Sequence, residues 1–558
     1  YLDGASASAV NVSVDPNTNI ANMHLYERRV IVRHEDTTPL TIADMAIYDR
    51  DQDSDIPFDA EDAATDTLTL PPETKLIVWN SKTFAPAGDI TLQSGGSGAA
   101  WDGTLEMFSG AVFSAAGTQT HSIGGSLLIG SGASMVSGQS TFVMTATTTG
   151  KTIQPGSSSF YNLTFNGSSG NWAFAGPATT TNNLTVTLGT VTLPSTALAI
   201  GGAFEATGGT FMHNNGTITF TSTATGKNVR ASGSPFYNMT FNGTGGGWTF
   251  MDTNATSSSN VVMSAGAVTL PSGTLAVGSS FTATSTGTFT HNSGTVRMTA
   301  SSAGKTLHGA ASSFNHVTFA GSGGEWIWGD AASTANNVTI TAGSTTLPVA
   351  LTLGGSFENT GGSFYHNNGA ITFTASATGK NIRANGSWFG TLVFNGASGG
   401  WTMLDSATST GAFSLNAAST FTLSPGATLT VNSVFTNAVG SVTSWTGSTL
   451  KLSGASSTIN TKAQPGDTYN TLVIGAATDV RMWNSSAGTT TVDSTGSLYS
   501  QDHAAVDGDL YIWGEYEQTS GTERWSYSTD FDGTSLGSPR RANVRIASSS
   551  IITLSGGT

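Results

Sequence analysis

"HNNGTITFTSTATGKNVRASGSPFYNMTFNG" occupies residues 213–243, and "HNNGAITFTASATGKNIRANGSWFGTLVFNG" occupies 366–396. A passage this long, copied with so few changes, marks an internal repeat, and repeats decide the fold before any local feature does. Its landmarks recur throughout the middle of the chain. Trp172, Trp248, Trp326 and Trp401 each close a Gly-rich phrase, "FNGSSGNW", "FNGTGGGW", "FAGSGGEW" and "FNGASGGW". Lys151, Lys227, Lys305 and Lys380 each follow a Gly, His213, His291 and His366 each precede an Asn, and Leu-Pro pairs recur at 193, 270 and 347. The unit is about 76 residues long, and three copies cover 151–402.

Within a copy the apolar residues alternate. Leu163 and Phe165, Leu184 and Val186, Ile218 and Phe220 are each separated by one polar residue, and Gly or Asn ends each run. A period of two over short runs predicts strands with one buried face. Two all-β architectures fit: separate small sandwiches, or a parallel β-helix (β-solenoid) whose coils stack ~4.8 Å apart. The copies follow one another without a Pro-rich or charged linker, which favours the solenoid. A coil of about 25 residues, three coils to a repeat, is expected, with Asn-Asn-Gly steps turning corners in the left-handed conformation. About twenty such coils predict a stack near 100 Å long.

The flanks differ from the middle. Residues 1–66 hold 14 of the 35 acidic residues against four arginines, whereas 151–400 holds five acids and seven bases. We therefore expect an acidic N-terminal β domain, sandwich-like, over 1–95, and leading coils over 96–150. The three repeats follow over 151–402, a degenerate repeat over 403–484, and an aromatic-rich β segment over 485–558. The chain opens without Met, as expected of a processed or partial chain.

Composition narrows the partners. A net charge of -15 and the lack of any Lys/Arg cluster argue against nucleic acid. No run of about 18 apolar residues is present, so no membrane-spanning helix is expected. The absence of cysteine removes disulfides and thiolate metal sites.

The sharpest local motif is "YDRDQDSDIPFDAED". Asp51, Asp53, Asp55, Asp59 and Asp62 fall at positions 1, 3, 5, 9 and 12 of a calcium loop, and carboxylates this dense repel unless a cation lies among them. Against that match, Ile56 replaces the usual Gly at position 6, and no helical pattern flanks the loop. Ca2+ is the expected ligand if the loop binds one.

The repeats carry little else that is reactive. With three coils to a repeat, the histidines would stand about 14 Å apart, too far to share a metal, and they read as turn positions. The tryptophans read as caps or padding of the solenoid, with carbohydrate stacking as the alternative. The acids Glu205, Asp252, Glu325, Asp330 and Glu358 read as falling at different phases, except Glu205 and Glu358, so no catalytic cluster is expected. Glu515, Glu517, Asp530 and Asp532 are candidates for an acid pair or a second cation. Asn162, Asn166, Asn183, Asn215, Asn238, Asn242 and Asn337 begin N-x-S/T sequons.

Phrases such as "LTLGGSFENTGGSFYHNNGAITFT" at 351–374 resemble the coils of large repetitive bacterial surface β-solenoid proteins, the adhesin and filamentous haemagglutinin-like style of repeat. The resemblance covers roughly 120–480. It implies an exported structural protein that builds a cell-surface stalk or filament, with copies of itself as the main partner. Two alternatives remain open: a surface module that binds glycans through C-terminal aromatics, and a polysaccharide-degrading β-helix enzyme. The "ASASAVNVSVD" stretch at 5–15 is a candidate strand for donation to a neighbouring subunit.

Overall fold

This computed structural model describes residues 26–34, 38–52, 54, 56–62, 66–310, 312–439 and 442–453. Beyond these it describes Tyr469–Thr471 and the backbone of short strands between Ser457 and Leu554. The fold is a parallel β-solenoid of about 18 turns, with successive turns ~21 residues apart. One compact unit comprises Tyr1–Ala276 with Ala283–Phe289, and the other Val277–Thr282 with Thr290–Thr558.

In the first unit each turn contributes one strand to each of three parallel ladders. The first ladder runs through Thr67–Leu70, Asp89–Leu92, Thr120–Ile123, Thr141–Met144, 162–165, 184–186, Phe204–Ala206, Lys227–Arg230 and 248–250. The second runs through Arg29–Val32, Lys75–Val78, Leu105–Met107, Leu127–Ile129, Lys151–Gln154, 172–174, 190–192 and Thr210–Met212. The third includes Ala178–Thr180, Ala197–Ile200, Thr217–Phe220, 238–241 and 261–263. Alternation does the sorting: in Thr217–Phe220 the two threonines are half-exposed, while Ile218 and Phe220 are buried. Parallel register then sets each inward residue on its partner one turn away, Ile200 on Phe220 and Phe220 on Phe241, whose rings stack 4.7 Å apart.

The second unit repeats the plan. One ladder passes through Thr295–Met298, His316–Phe319, Val338–Ile340, Phe357–Asn359, Lys380–Arg383, 401–403 and 421–423. Another passes through Lys305–His308, Glu325–Trp328, Ser344–Thr346 and Ser363–Tyr365. A third passes through Ala332–Thr334, Ala350–Leu353, Ala370–Phe373, 391–394 and 413–415.

The structure corrects two expectations about organisation. A turn takes ~21 residues rather than 25, so a 76-residue repeat is not a whole number of turns. From Lys151–Gln154 to its copy Lys227–Arg230 the chain advances by eleven strand segments at three per turn, ending one ladder over. Lys305–His308 and its copy Lys380–Arg383 likewise lie in different ladders of their unit. The boundary expected near residue 95 does not interrupt the stack. Arg29–Val32, Lys75–Val78 and Asp89–Leu92 are already parallel rungs of it. The stretch expected to form a sandwich-like domain instead adds a short helix, Ile42–Ala46, and one antiparallel pair, Asp59–Glu61 with 67–69. Thr41 and Asp44 cap that helix reciprocally, Asp44 N–H donating to Thr41 Oγ1 and Thr41 N–H to the Asp44 carboxylate.

The Gly-rich phrase of each repeat has a steric cause. The strands Asn162–Phe174 and Asn238–Phe250 run through a corner from one ladder to the next. At Gly167, Gly243, Gly321 and Gly396 a Cβ would overlap the carbonyl oxygen of Ala146, Ser222, Ala300 or Ala375 in the adjacent turn. At Gly170, Gly246, Gly324 and Gly399 it would overlap the indole of the Trp two residues on. By contrast Gly226, at φ +76, has nothing within 4 Å of a Cβ.

That contrast sets an expected ranking. Gly226→Ala forces only the left-handed backbone and lowers stability by about 1 kcal/mol. Gly243→Ala has no left-handed backbone to adopt but must push two turns apart, which costs roughly 3 kcal/mol. Thermal melts of the two variants should therefore separate, with Gly243→Ala the lower; equal melting temperatures would refute the close-approach explanation.

Candidate functional site

The acidic segment that follows the short helix gathers three carboxylates. Ligand oxygens of Asp51, Asp59 and Glu61 all lie within 4.8 Å of one another. Asp49 organises the approach. It is buried, and its carboxylate accepts from the backbone N–H of Asp51 at 3.0 Å and of Ala60 at 3.1 Å, tying the turn to the strand. Asp59 and Glu61 are two residues apart on Asp59–Glu61, so the pleat sends both to the same side. Asp62 is exposed and stands outside the group. Asp53 and Asp55 lie outside the described residues. The expected set and the observed group therefore share Asp51 and Asp59. The twelve-residue loop spacing passes over Glu61, because the backbone there is a strand with period two. Oδ1 of Asp59 is buried without a hydrogen-bond partner. Hard carboxylate oxygens in such a group suit a divalent cation such as Ca2+.

The repeat landmarks prove to be structural contacts. Each Lys is the register partner of its repeat's Trp one turn on: Lys151 with Trp172, Lys227 with Trp248, Lys305 with Trp326, and Lys380 with Trp401. The four tryptophans are at most 1% exposed and pack against core phenylalanines, Trp172 on Phe165 at 5.2 Å and Trp401 on Phe394 at 5.3 Å. They neither cap the solenoid nor reach a carbohydrate. The glycines of the preceding phrase make room for the indole.

The histidines hold corners. Nδ1 of His213, His291 and His366 accepts from the backbone N–H two residues on, at 3.0, 3.0 and 2.9 Å. The two residues after each His have positive φ, 46 to 59°. Asn and Ser tolerate this left-handed pair, and the imidazole satisfies the amide it exposes. His291 precedes Thr295–Met298 and His366 precedes Ala370–Phe373, strands of different ladders, so these two do not form a histidine column.

Three aspartates share one role. Asp252, Asp330 and Asp405 each follow the repeat Trp by four residues. Each carboxylate accepts from two successive backbone N–H groups about one turn earlier: Ala231 and Ser232, Gly309 and Ala310, Ala384 and Asn385. Asp252 and Asp330 thus occupy the same phase, contrary to the expectation from sequence. Glu205, at a different phase, accepts from Asn228 Nδ2 at 2.7 Å.

The sequons divide by geometry. Oδ1 of Asn162 and Asn238 accepts from the side-chain amides of Asn182 and Asn260. Oδ1 of Asn183 and Asn337 accepts from the backbone of Ala203 and Ser356. Asn166, Asn215 and Asn242 are exposed. The side chains of Glu515, Glu517, Asp530 and Asp532, and the stretch 5–15, lie outside the described residues.

One titratable group escaped the sequence reading. His121 is buried between Phe113 and Phe142, at ring distances of 5.4 and 5.0 Å, and neither ring nitrogen has a hydrogen-bond partner. Burial pushes the imidazole down to about 4 from an ordinary 6.5, against the opposing pull of Asp89. It occupies an inward position of Thr120–Ile123 where its neighbours in the ladder carry Ile90 and Phe142. Comparison of the chain with protein-family models, curated proteins and solved structures finds no match.

His121 makes stability depend on pH in a definite direction. Its folded pKa is depressed, so the unfolded chain binds the extra proton first. The stabilisation is complete above pH 6.5 and is lost as pH falls from 6.5 to about 4, by roughly 3 kcal/mol in all. His121→Phe should flatten that part of the stability–pH curve measured by denaturant unfolding. An unchanged slope would show that His121 is not the group responsible.

Proposed function

We propose that this chain is a structural protein of the cell exterior, a β-solenoid that builds a surface stalk or filament by end-to-end association of copies of itself. The observation that carries the reading is the use of the repeat's polar and aromatic landmarks for stacking. Lys–Trp register pairs and Asp-held turns join one turn to the next, and His-held corners shape the turn itself. A parallel ladder ends in unpaired strand edges, which another copy of the same strands is able to extend. The resemblance of 351–374 to repetitive bacterial surface proteins points the same way. Among the described residues no helix is long and apolar enough to cross a membrane. The purified chain should form filaments in negative-stain images at raised concentration, and images holding only separate particles at every concentration would overturn end-to-end assembly.

In the same reading, Ca2+ bound by Asp51, Asp59 and Glu61 fastens the acidic N-terminal segment. The group's mutual repulsion and the unpartnered Asp59 oxygen support this. Millimolar-range Ca2+ at a hundredfold excess over Kd would stabilise the folded chain by about 2.7 kcal/mol. A Ca2+-dependent rise in melting temperature is expected for the native chain and should be absent in Glu61→Gln. A native chain insensitive to Ca2+ would refute the cation.

A further inference from the structure

The two passages quoted at the outset, each taken with the two residues before it (211–243 and 364–396), fold into the same frame but carry different outward residues. In the first, Phe211 and Phe236 are buried ring to ring at 5.0 Å, and Phe211 N–H donates to Ser234 Oγ at 3.2 Å. In the second, Phe364 and Phe389 are buried at 4.9 Å, and Phe364 N–H donates to Ser387 Oγ at 3.1 Å. Strand alternation turns the residue after the first Phe and the residue before the second to the outside. In the first copy these are Met212 and Pro235; in the second they are Tyr365 and Trp388. A further change lies beside them. Tyr237, whose ring stacks on His213 at 5.3 Å, is replaced by Gly390, which leaves His366 without that ring.

Tyr365 and Trp388 are 63% and 59% exposed. The frame does not need them, since the other copies hold Met212, Thr290, Pro235 and Ser313 at these places. They line a cavity of about 390 Å³ together with Ser363, His366, Asn367 and Ser387. No carboxylate, Lys or Arg lines it.

We propose that this cavity is a binding site for a neutral hexopyranose residue of a glycan. Two aromatic side chains from adjacent turns offer flat apolar faces to the C–H face of a sugar ring. Hydroxyl, amide and imidazole groups at the edge supply the donors and acceptors that sugar hydroxyls require. The uncharged lining disfavours a phosphate, a uronate or a charged peptide, each of which would arrive without a counter-charge. The site is independent of filament assembly, because it lies on the outward side of the coils and its frame is shared by a copy that lacks the aromatics.

The test uses the full chain and the methyl glycosides of glucose, galactose, mannose and N-acetylglucosamine, together with their neutral oligomers. Saturation-transfer NMR reports ring-proton contact, and titrated tryptophan fluorescence reports affinity. At least one neutral sugar should bind saturably. Trp388→Ser and Tyr365→Met, which restore residues of other copies and so keep the frame, should each weaken it about tenfold. Trp388→Phe should retain most of the binding, and all variants should keep the native melting temperature. Equal binding by native chain and Trp388→Ser, binding of charged sugars alone, or no binding of any neutral sugar in the panel would each overturn the proposal. Filament images of Trp388→Ser keep the two readings apart, since loss of sugar binding should leave assembly unchanged.

Discussion

The structure depends on vertical register. Each inward side chain must meet its counterpart one turn, ~21 residues, away, because a slip of a single residue would send a whole strand's apolar set to the outside. Ile218 on Met239 and Phe220 on Phe241 illustrate the requirement, and the ladder hydrogen bonds enforce it. Extra residues are accommodated only at corners. Where "TSTATG" precedes Lys227, Phe204 pairs with Val229, 25 residues on, and the surplus is exposed at Thr223 to Gly226. Turn length therefore varies without disturbing the column.

This constraint explains how a repeat of about 76 residues survives although it is not a whole number of turns. Eleven strand segments move a copy onto the neighbouring ladder, so a passage that works on one face must work on the next. Only features indifferent to face pass that requirement. They include a Gly that lets the adjacent carbonyl approach, a Trp filling the space its glycines leave, a His that closes a left-handed corner, and an Asp that holds the turn about one coil earlier. A site assembled from several coils of one face, as a catalytic cluster would be, is broken up by a shift of one ladder per copy. The duplication thus preserves stacking and disperses chemistry.

Strand alternation and repeat spacing made the solenoid legible, since both are written in residue type. The turn length was not, because strands such as Asn238–Phe250 pass through a corner without a visible break. Trp248 pads the solenoid as expected, but its full burial was hidden for a related reason. Glycines before it resemble a surface turn, yet at Gly246 the Ser222 carbonyl of the adjacent turn and the indole together take the space a Cβ would need. At the acidic segment, Asp51 and Asp59 were legible as dense carboxylates. Glu61 was not, because choosing it over Asp62 requires knowing that Asp59–Glu61 is a strand. The shared phase of Asp252 and Asp330 needed only counting from the Trp, but its meaning needed the turn they reach across to.

Register also decides where a solenoid is free to specialise. Phe364 and Phe389 cannot change without disturbing the turns on either side, whereas Tyr365 and Trp388 sit one residue along the backbone and answer to solvent alone. Alternation decouples the two sets: the inward residue carries the column and the outward one carries nothing the fold needs. A duplicated copy therefore begins with outward positions already released from the task of stacking. The exchange of Tyr237 for Gly390 extends the same logic, because the ring it removes is an outer contact to His213 while the corner bond through Nδ1 persists in both copies. In such a fold a copy whose inward changes keep to apolar side chains, Val229 to Ile382 and Met239 to Leu392, and whose outward changes include the exposed Tyr365 and Trp388, has changed what it presents without changing what holds it up.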